Sequence, residues 1–138
     1  LPTESEWEFA AKSRGQDINY PWGDEPLDCE RLNFLGCDGD DGSGTSRICT
    51  HPAGHSAQGI CDLAGNVWEW VEDDRHVSYI GAPNDGTAWV DTPRGAFRVG
   101  RGGSWGNGSD RVRPAHRYYV GPERSGGDSG MRLARSPR

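Results

Sequence analysis

Apolar positions along this chain fall into a few short groups separated by long polar, glycine-rich stretches. Near the start, Trp7, Ala10 and Ala11 form a stripe at helical spacing, flanked by Phe9. Thr3 followed by Glu6 is a capping box with Leu1-Pro2 leading in, and Glu4, Glu6 and Glu8 suit the positive end of a helix. The pattern predicts a helix over about residues 4–12, ended by Ser13-Arg14-Gly15. The period then changes to two. Trp68 and Trp70 share one face of an extended segment, Val67 and Glu69 the other, directly after the turn chemistry of Gly65-Asn66. Residues 97–101 alternate as a short strand, and residues 129–134 predict a closing one. Between these groups, residues 21–55 read as one long loop, residues 71–76 as a surface segment with His76 toward solvent, and residues 83–86 and 92–95 as turns.

Composition supports that sparse picture. Hydrophobic residues are 33% of the 138, Gly reaches 21, and six Trp are left to do much of the burying. A net charge of −6 argues against nucleic acid as a default partner. No apolar run approaches membrane length, and no signal peptide is visible.

A loop of this length needs pins, because no ladder of hydrogen bonds offsets its ordering entropy. Cys29, Cys37, Cys49 and Cys61 are one set, all in the first half. They lack C-x-x-C spacing, which disfavours a zinc ribbon. An even number in a loop-rich chain favours disulfides and an oxidising compartment, periplasmic or extracellular; free thiols of a cytoplasmic protein are the alternative. Of three pairings, the short-range set Cys29–Cys37 and Cys49–Cys61 is favoured. The run 38–43, Asp-Gly-Asp-Asp-Gly-Ser, has the acid-and-glycine spacing of a calcium loop without the full EF-hand pattern.

The stretch 59–70 packs two Trp, two acids, an Asn and two Gly into one segment. Asp62, Glu69 and the carbonyls of the turn between them offer several oxygens to a hard cation. The alternative is that both acids hydrogen-bond the loop backbone. Arg111, Arg113 and Arg117 form either a basic patch or a salt-bridged wall, and His116, without companion ligands, is a packing or hydrogen-bonding residue.

Five blocks in order carry a family resemblance. Residues 1–11 (LPTESEWEFAA), 20–24 (YPWGD), 62–70 (DLAGNVWEW), 101–105 (RGGSW) and 130–134 (GMRLA) resemble the motifs of the formylglycine-generating enzyme, or sulfatase-modifying factor, family. Met131 stands where the family has Phe. The resemblance implies an α+β, C-type-lectin-like fold with sparse secondary structure and long irregular loops. It reads residues 1–138 as one domain, a C-terminal portion or a shortened member.

It also implies two Ca²⁺ sites. One would use Asp62, the carbonyls of Gly65 and Val67, and Glu69. The other would use Asn33, the carbonyl of Phe34, then Asp41 and the carbonyl of Ser43, with Asp40 competing.

The family's oxidase chemistry rests on two cysteines just after RGGSW. Here those positions are Asn107 and either Ser109 or Val112, and no Cys follows Cys61. Copper(I) wants thiolates, which these side chains cannot supply. The iron-dependent sulfoxide synthases that share the fold take their histidines from a preceding helical domain, for which no H-x-x-x-E-x-H pattern appears here. The expectation is a non-catalytic, calcium-stabilised ligand-binding or accessory domain. The alternative is part of an active family oxidase whose catalytic parts lie outside this chain. A small-molecule or peptide ligand would meet Trp68, Ser104, Trp105, Asn107, Arg113, His116 and Tyr118, with no nucleic acid or membrane as partner.

Overall fold

The computed structural model describes residues 1–39 and 44–135. One helix, α1 (Glu4–Ala11), and four strands, β1 (Trp68–Asp74), β2 (Arg98–Arg101), β3 (Tyr118–Val120) and β4 (Ser129–Met131), make up its regular structure, with a single 3-10 turn at Pro52–Gly54. This is a sparse α+β fold of the kind the sequence implied. No helix among the described residues is long and apolar enough to cross a membrane.

The helix starts where its capping box places it. Thr3 Oγ1 accepts from the Glu6 amide at 3.1 Å, and Glu6 Oε2 accepts from the Thr3 amide at 2.9 Å. Ser13, Arg14 and Gly15 all take left-handed φ (47, 70 and 74°) and stop it. Trp7 and Ala11 are buried and Phe9 is 57% exposed, so the apolar stripe faces inward and Phe9 flanks it as expected.

Trp7 and Ala11 pack with Leu63, Val71 and Val99, which joins α1 to the sheet. Fully burying each such aliphatic side chain contributes about 1.5–3 kcal/mol. Strand β1 is central in the order β3-β2-β1-β4, antiparallel to β2 and parallel to β4. Glu69, Val71 and Asp73 face the helix, whereas Trp68 and Trp70 share the opposite face.

Residues 71–74 correct the surface reading. They continue β1, with Val71, Asp73 and Asp74 buried. Two buried carboxylates are tolerable because each is saturated. Asp73 accepts from the Glu4 and Trp89 amides at 2.7 and 2.8 Å. Asp74 accepts from the Asp91 and Gly95 amides at 2.9 and 3.1 Å, and pairs with Arg94 and Arg98. His76 is not turned to solvent either; its ring stacks on Trp89 at 3.6 Å between centroids. Strand β3 went unread in the sequence, and the closing strand ends at Met131, leaving Leu133 82% exposed.

The loop half is pinned by the disulfides Cys29–Cys37 and Cys49–Cys61, the favoured pairing, with Cα separations of 5.6 and 5.1 Å. A second small core of Leu32, Ala64 and Val112, flanked by Trp22, Leu27 and Phe34, holds that half against the rest.

Candidate ligand and metal site

The turn at Gly65-Asn66 is where three separate chain segments meet. Both residues have left-handed φ (73 and 65°). A methyl group on Gly65 would run into the Asn33 carbonyl, so only glycine lets the two backbones approach. The Gly65 amide donates to the Gly102 carbonyl at 2.8 Å, and the Asn66 amide to the Asn33 carbonyl at 2.8 Å. Asn66 then clamps Ser46 from both sides. Its Oδ1 accepts from the Ser46 amide at 2.9 Å and its Nδ2 donates to the Ser46 carbonyl at 3.2 Å. The Asn66 carbonyl accepts the Trp105 amide at 2.9 Å. One turn therefore fixes residue 33, the loop at Ser46 and the 101–105 block relative to β1. Sequence reasoning saw a turn here but missed this role for Asn66.

Asp62, Asn66, Val67 and Glu69 line one hollow of about 210 Å³, together with Cys49, Cys61 and Arg132. Asp62 Oδ2 accepts from the Cys49 amide at 2.8 Å. Cys49 and Cys61 lie close to the Asp62 carboxylate, but their sulfurs are spent on the disulfide, leaving oxygens as the chemistry of the hollow. Glu69 is buried and accepts from the Trp7 indole at 2.6 Å and from Arg132 at 2.9 and 2.5 Å. Arg132 also donates to the Cys61 carbonyl at 2.8 Å. Arg132 thus supplies a positive charge to Glu69 that the periodicity of the chain gave no sign of.

Asn33 is the other informative residue. It is 1% exposed, its Nδ2 donates to the Gly44 carbonyl at 2.8 Å, and its Oδ1 is buried with no hydrogen-bond donor among the described residues. An amide oxygen left so is costly unless something electropositive meets it. Phe34 sits at the edge of the second core; Asp41 and Ser43, with Asp40, lie outside the described residues.

The expected ligand residues divide into two groups. Trp68, His116 and Tyr118 come together, with ring centroids of Trp68 5.8 Å from His116 and 4.7 Å from Tyr118. Arg124 donates to the Tyr118 hydroxyl at 3.0 Å. Burial pushes the His116 imidazole below its ordinary pKa, helped by Arg111, Arg101 and Arg113 against Asp110, so the ring is neutral at pH 7. Ser104 and Asn107 form the second group. Asn107 Oδ1 accepts from the Ser104 amide and hydroxyl, both at 2.9 Å, so this side chain closes its own turn. Trp105 is 37% exposed and donates weakly to the Gly127 carbonyl at 3.4 Å. Among the described residues, Arg113 donates only to the Asp110 carbonyl, at 3.5 Å.

The arginine question resolves unevenly. Arg117 is salt-bridged, donating to both oxygens of buried Glu4 at 2.6 and 2.9 Å, whereas Arg111 only approaches Asp110, at 3.9 Å. The buried charge network centres on an arginine the sequence did not single out, Arg101, which is wholly buried between Glu4, Glu8 and two backbone carbonyls.

The model of the sulfatase-modifying factor enzyme 1-like domain matches residues 1–137. The chain belongs to this sulfatase-modifying-factor family. Its relatives include the serine/threonine-protein kinase Pkn1 of Chlamydia trachomatis, 35% identical over 98% of this chain and 21% of that protein. The formylglycine-generating enzyme of Thermomonospora curvata is 34% identical over 99% of this chain and 49% of its own length. Among solved structures, PvdO from Pseudomonas aeruginosa superposes with a TM-score of 0.79 at 29% identity, covering 95% of this chain and 50% of that one. The chain therefore spans half or less of the length of these relatives. The sulfatase-modifying-factor motifs map directly onto the geometry above: the 62–70 block is the clamp and β1, the 101–105 block is what it clamps, and the 130–134 block delivers Arg132 to Glu69.

Proposed function

We propose that this chain is a calcium-stabilised ligand-binding or accessory domain of the sulfatase-modifying-factor family that does not carry out the family's thiol-dependent oxidation. One observation carries the reading: all four cysteines are consumed in the two disulfides of the loop half. The positions after the 101–105 block hold no thiol. Asn107 closes its own turn on Ser104, and Val112 is wholly buried in the second core. A nucleophilic or Cu(I)-binding role needs thiolates.

What remains around Trp68 is a recognition surface. Trp68 is itself buried and backs the half-buried His116 and Tyr118 rings, and Arg113, Trp105 and the Tyr118 hydroxyl add polar and exposed contacts suited to a small-molecule or peptide ligand. That the match covers 21% of a kinase relative fits a module serving a longer protein. The same partial coverage is what favours the second reading, a piece of a family oxidase whose catalytic parts lie elsewhere. The two disulfides suit an oxidising compartment, which we take to be the periplasm or the cell exterior.

Calcium fits the oxygen donors. Asp62, Glu69 and the Gly65 and Val67 carbonyls would hold one ion, which would have to share Glu69 with Arg132 and Trp7, and Asn33, with its unanswered Oδ1, the Phe34 carbonyl, Asp41 and Ser43 the other. The ion would pin loops and do no chemistry. Thermal melts in excess Ca²⁺ and in chelator test this. Calcium about 100-fold over its dissociation constant adds roughly 2.7 kcal/mol. Glu69→Gln and Asn33→Ala should each shrink the separation; coincident melts for the unaltered protein would remove calcium from the reading.

A further inference from the structure

Beyond the Trp68 surface, a notch of about 120 Å³ opens between the end of β1 and the edge strand β3, lined by Arg75, His76, Val99, Arg117, Tyr118 and Tyr119. Every charged or titratable group on its polar wall apart from the two phenols is basic. The Arg75 guanidinium lies 4.3 Å above the Tyr119 ring, and no carboxylate of the described residues pairs with it. Arg117 and His76 do have acidic partners, Glu4 and Asp91, but neither of these lines the notch. His76 is held flat by its stack on Trp89 and by its contacts with the Asp74 carbonyl and Asp91. Arg117 is fixed by Glu4 and the His76 carbonyl. Basic groups thus converge on a small space from a rigid wall, with aromatic rings on the remaining sides, in a chain whose net charge is −6.

Size narrows the occupant. The notch has room for about four waters at ~30 Å³ each, too little for a drug-sized ligand at roughly 300 Å³ or more. Guanidinium groups pair best with oxyanions, through parallel charge-assisted hydrogen bonds. We propose that this notch binds a tetrahedral oxyanion, phosphate or sulfate, free or as the ester group of a larger molecule. Arg75 is the principal contact, and Arg117 and the β3 tyrosines are its walls. The site is separate from the proposed ligand surface except for Tyr118, which stands between them.

The test is a titration of protein carrying ¹⁵N-labelled arginine with inorganic phosphate, sulfate and acetate at fixed ionic strength, following the Arg75 Nε–H signal. Saturating shifts with phosphate or sulfate are expected; comparing the two separates the anions, and a further arm with a phosphate monoester separates the free ion from an ester group. Arg75→Gln should weaken binding about tenfold or more, as loss of a charge-assisted pair implies, and Arg75→Lys should weaken it less. Because Arg75 is exposed, an unchanged melting temperature checks that the variants fold. Shifts that never saturate, an undiminished response in Arg75→Gln read at neighbouring arginines, or acetate binding as tightly as phosphate would each overturn the proposal. None of these outcomes depends on the Trp68 surface, so the two can fail independently.

Discussion

Arg101→Met separates a structural role for the buried charge network from a decorative one. Arg101 has no exposed surface. Its Nη1 donates to the Pro114 and His116 carbonyls at 2.6 and 2.9 Å, its Nη2 pairs with Glu8, and its guanidinium lies 5.2 Å from the Trp7 ring. It ties α1 to β2 and to the segment leading into β3. Methionine fills comparable space but leaves two carbonyls and a carboxylate without their donor. Breaking a buried pair from one side costs about 3–5 kcal/mol. The lower end applies here, because Glu8 is about a third exposed and can turn to water, and Glu4 keeps Arg117 and Tyr79. At roughly 3–4 °C per kcal/mol for a domain of this size, the melting temperature should fall by about 10 °C. Urea unfolding followed by tryptophan fluorescence, with Glu8→Gln and the double variant completing a cycle, gives the coupling directly. A loss below about 1 kcal/mol, or no coupling to Glu8, would refute the reasoning.

Gly65→Ala should be among the most damaging single changes, since the methyl meets the Asn33 backbone and the φ is left-handed; little soluble protein, or a loss of several kcal/mol by urea melt, is expected. Removing either disulfide by a Cys→Ala pair should cost about 2–4 kcal/mol, read by thermal melts under non-reducing conditions. The paired aspartates should respond oppositely to acid. Burial alone would lift Asp74, but hydrogen bonds from Asp91, Gly95 and Arg94 outweigh it and hold the carboxyl below the usual 3.8. Its stabilisation is present above that value and disappears as pH falls through the lower folded pKa, so Asp74→Asn should flatten the acid limb of a stability–pH curve. Asp73 is raised, chiefly by burial, so stability declines as pH rises from 3.8 through its folded pKa, and Asp73→Asn should remove that decline.

What was legible in the sequence was whatever local chemistry dictates. Thr3 and Glu6 announced the helix start, the Trp68–Trp70 alternation announced β1, and an even set of cysteines in a long loop announced disulfides. Residues 71–76 failed for a physical reason. Four charged residues in six read as solvated surface, and only the fold shows that amides of Trp89, Asp91 and Gly95, far along the chain, come back to satisfy them. Strand β3 failed because three residues beside a proline- and glycine-rich run carry too little pattern. In the candidate site, Asp62, Val67 and Glu69 line one hollow, but the contacts that shape it, Arg132 on Glu69 and Asn66 on Ser46, span 63 and 20 residues. No local period encodes these. Trp68 and Tyr118 meet across β2, which lies between their strands, an order that no local pattern announces.

The proposed lack of thiol-dependent oxidase activity can be tested directly. The purified protein, incubated with copper, oxygen and a peptide carrying Cys-x-Pro-x-Arg, should yield no formylglycine beyond a protein-free control once peptide disulfides are reduced, because Asn107, Ser109 and Val112 offer neither a thiolate for the metal nor a partner for a mixed disulfide. Mass spectrometry resolves the aldehyde product from the starting cysteine. An unconverted peptide is the predicted result, and formylglycine in the unaltered protein's reaction would contradict the proposed function outright.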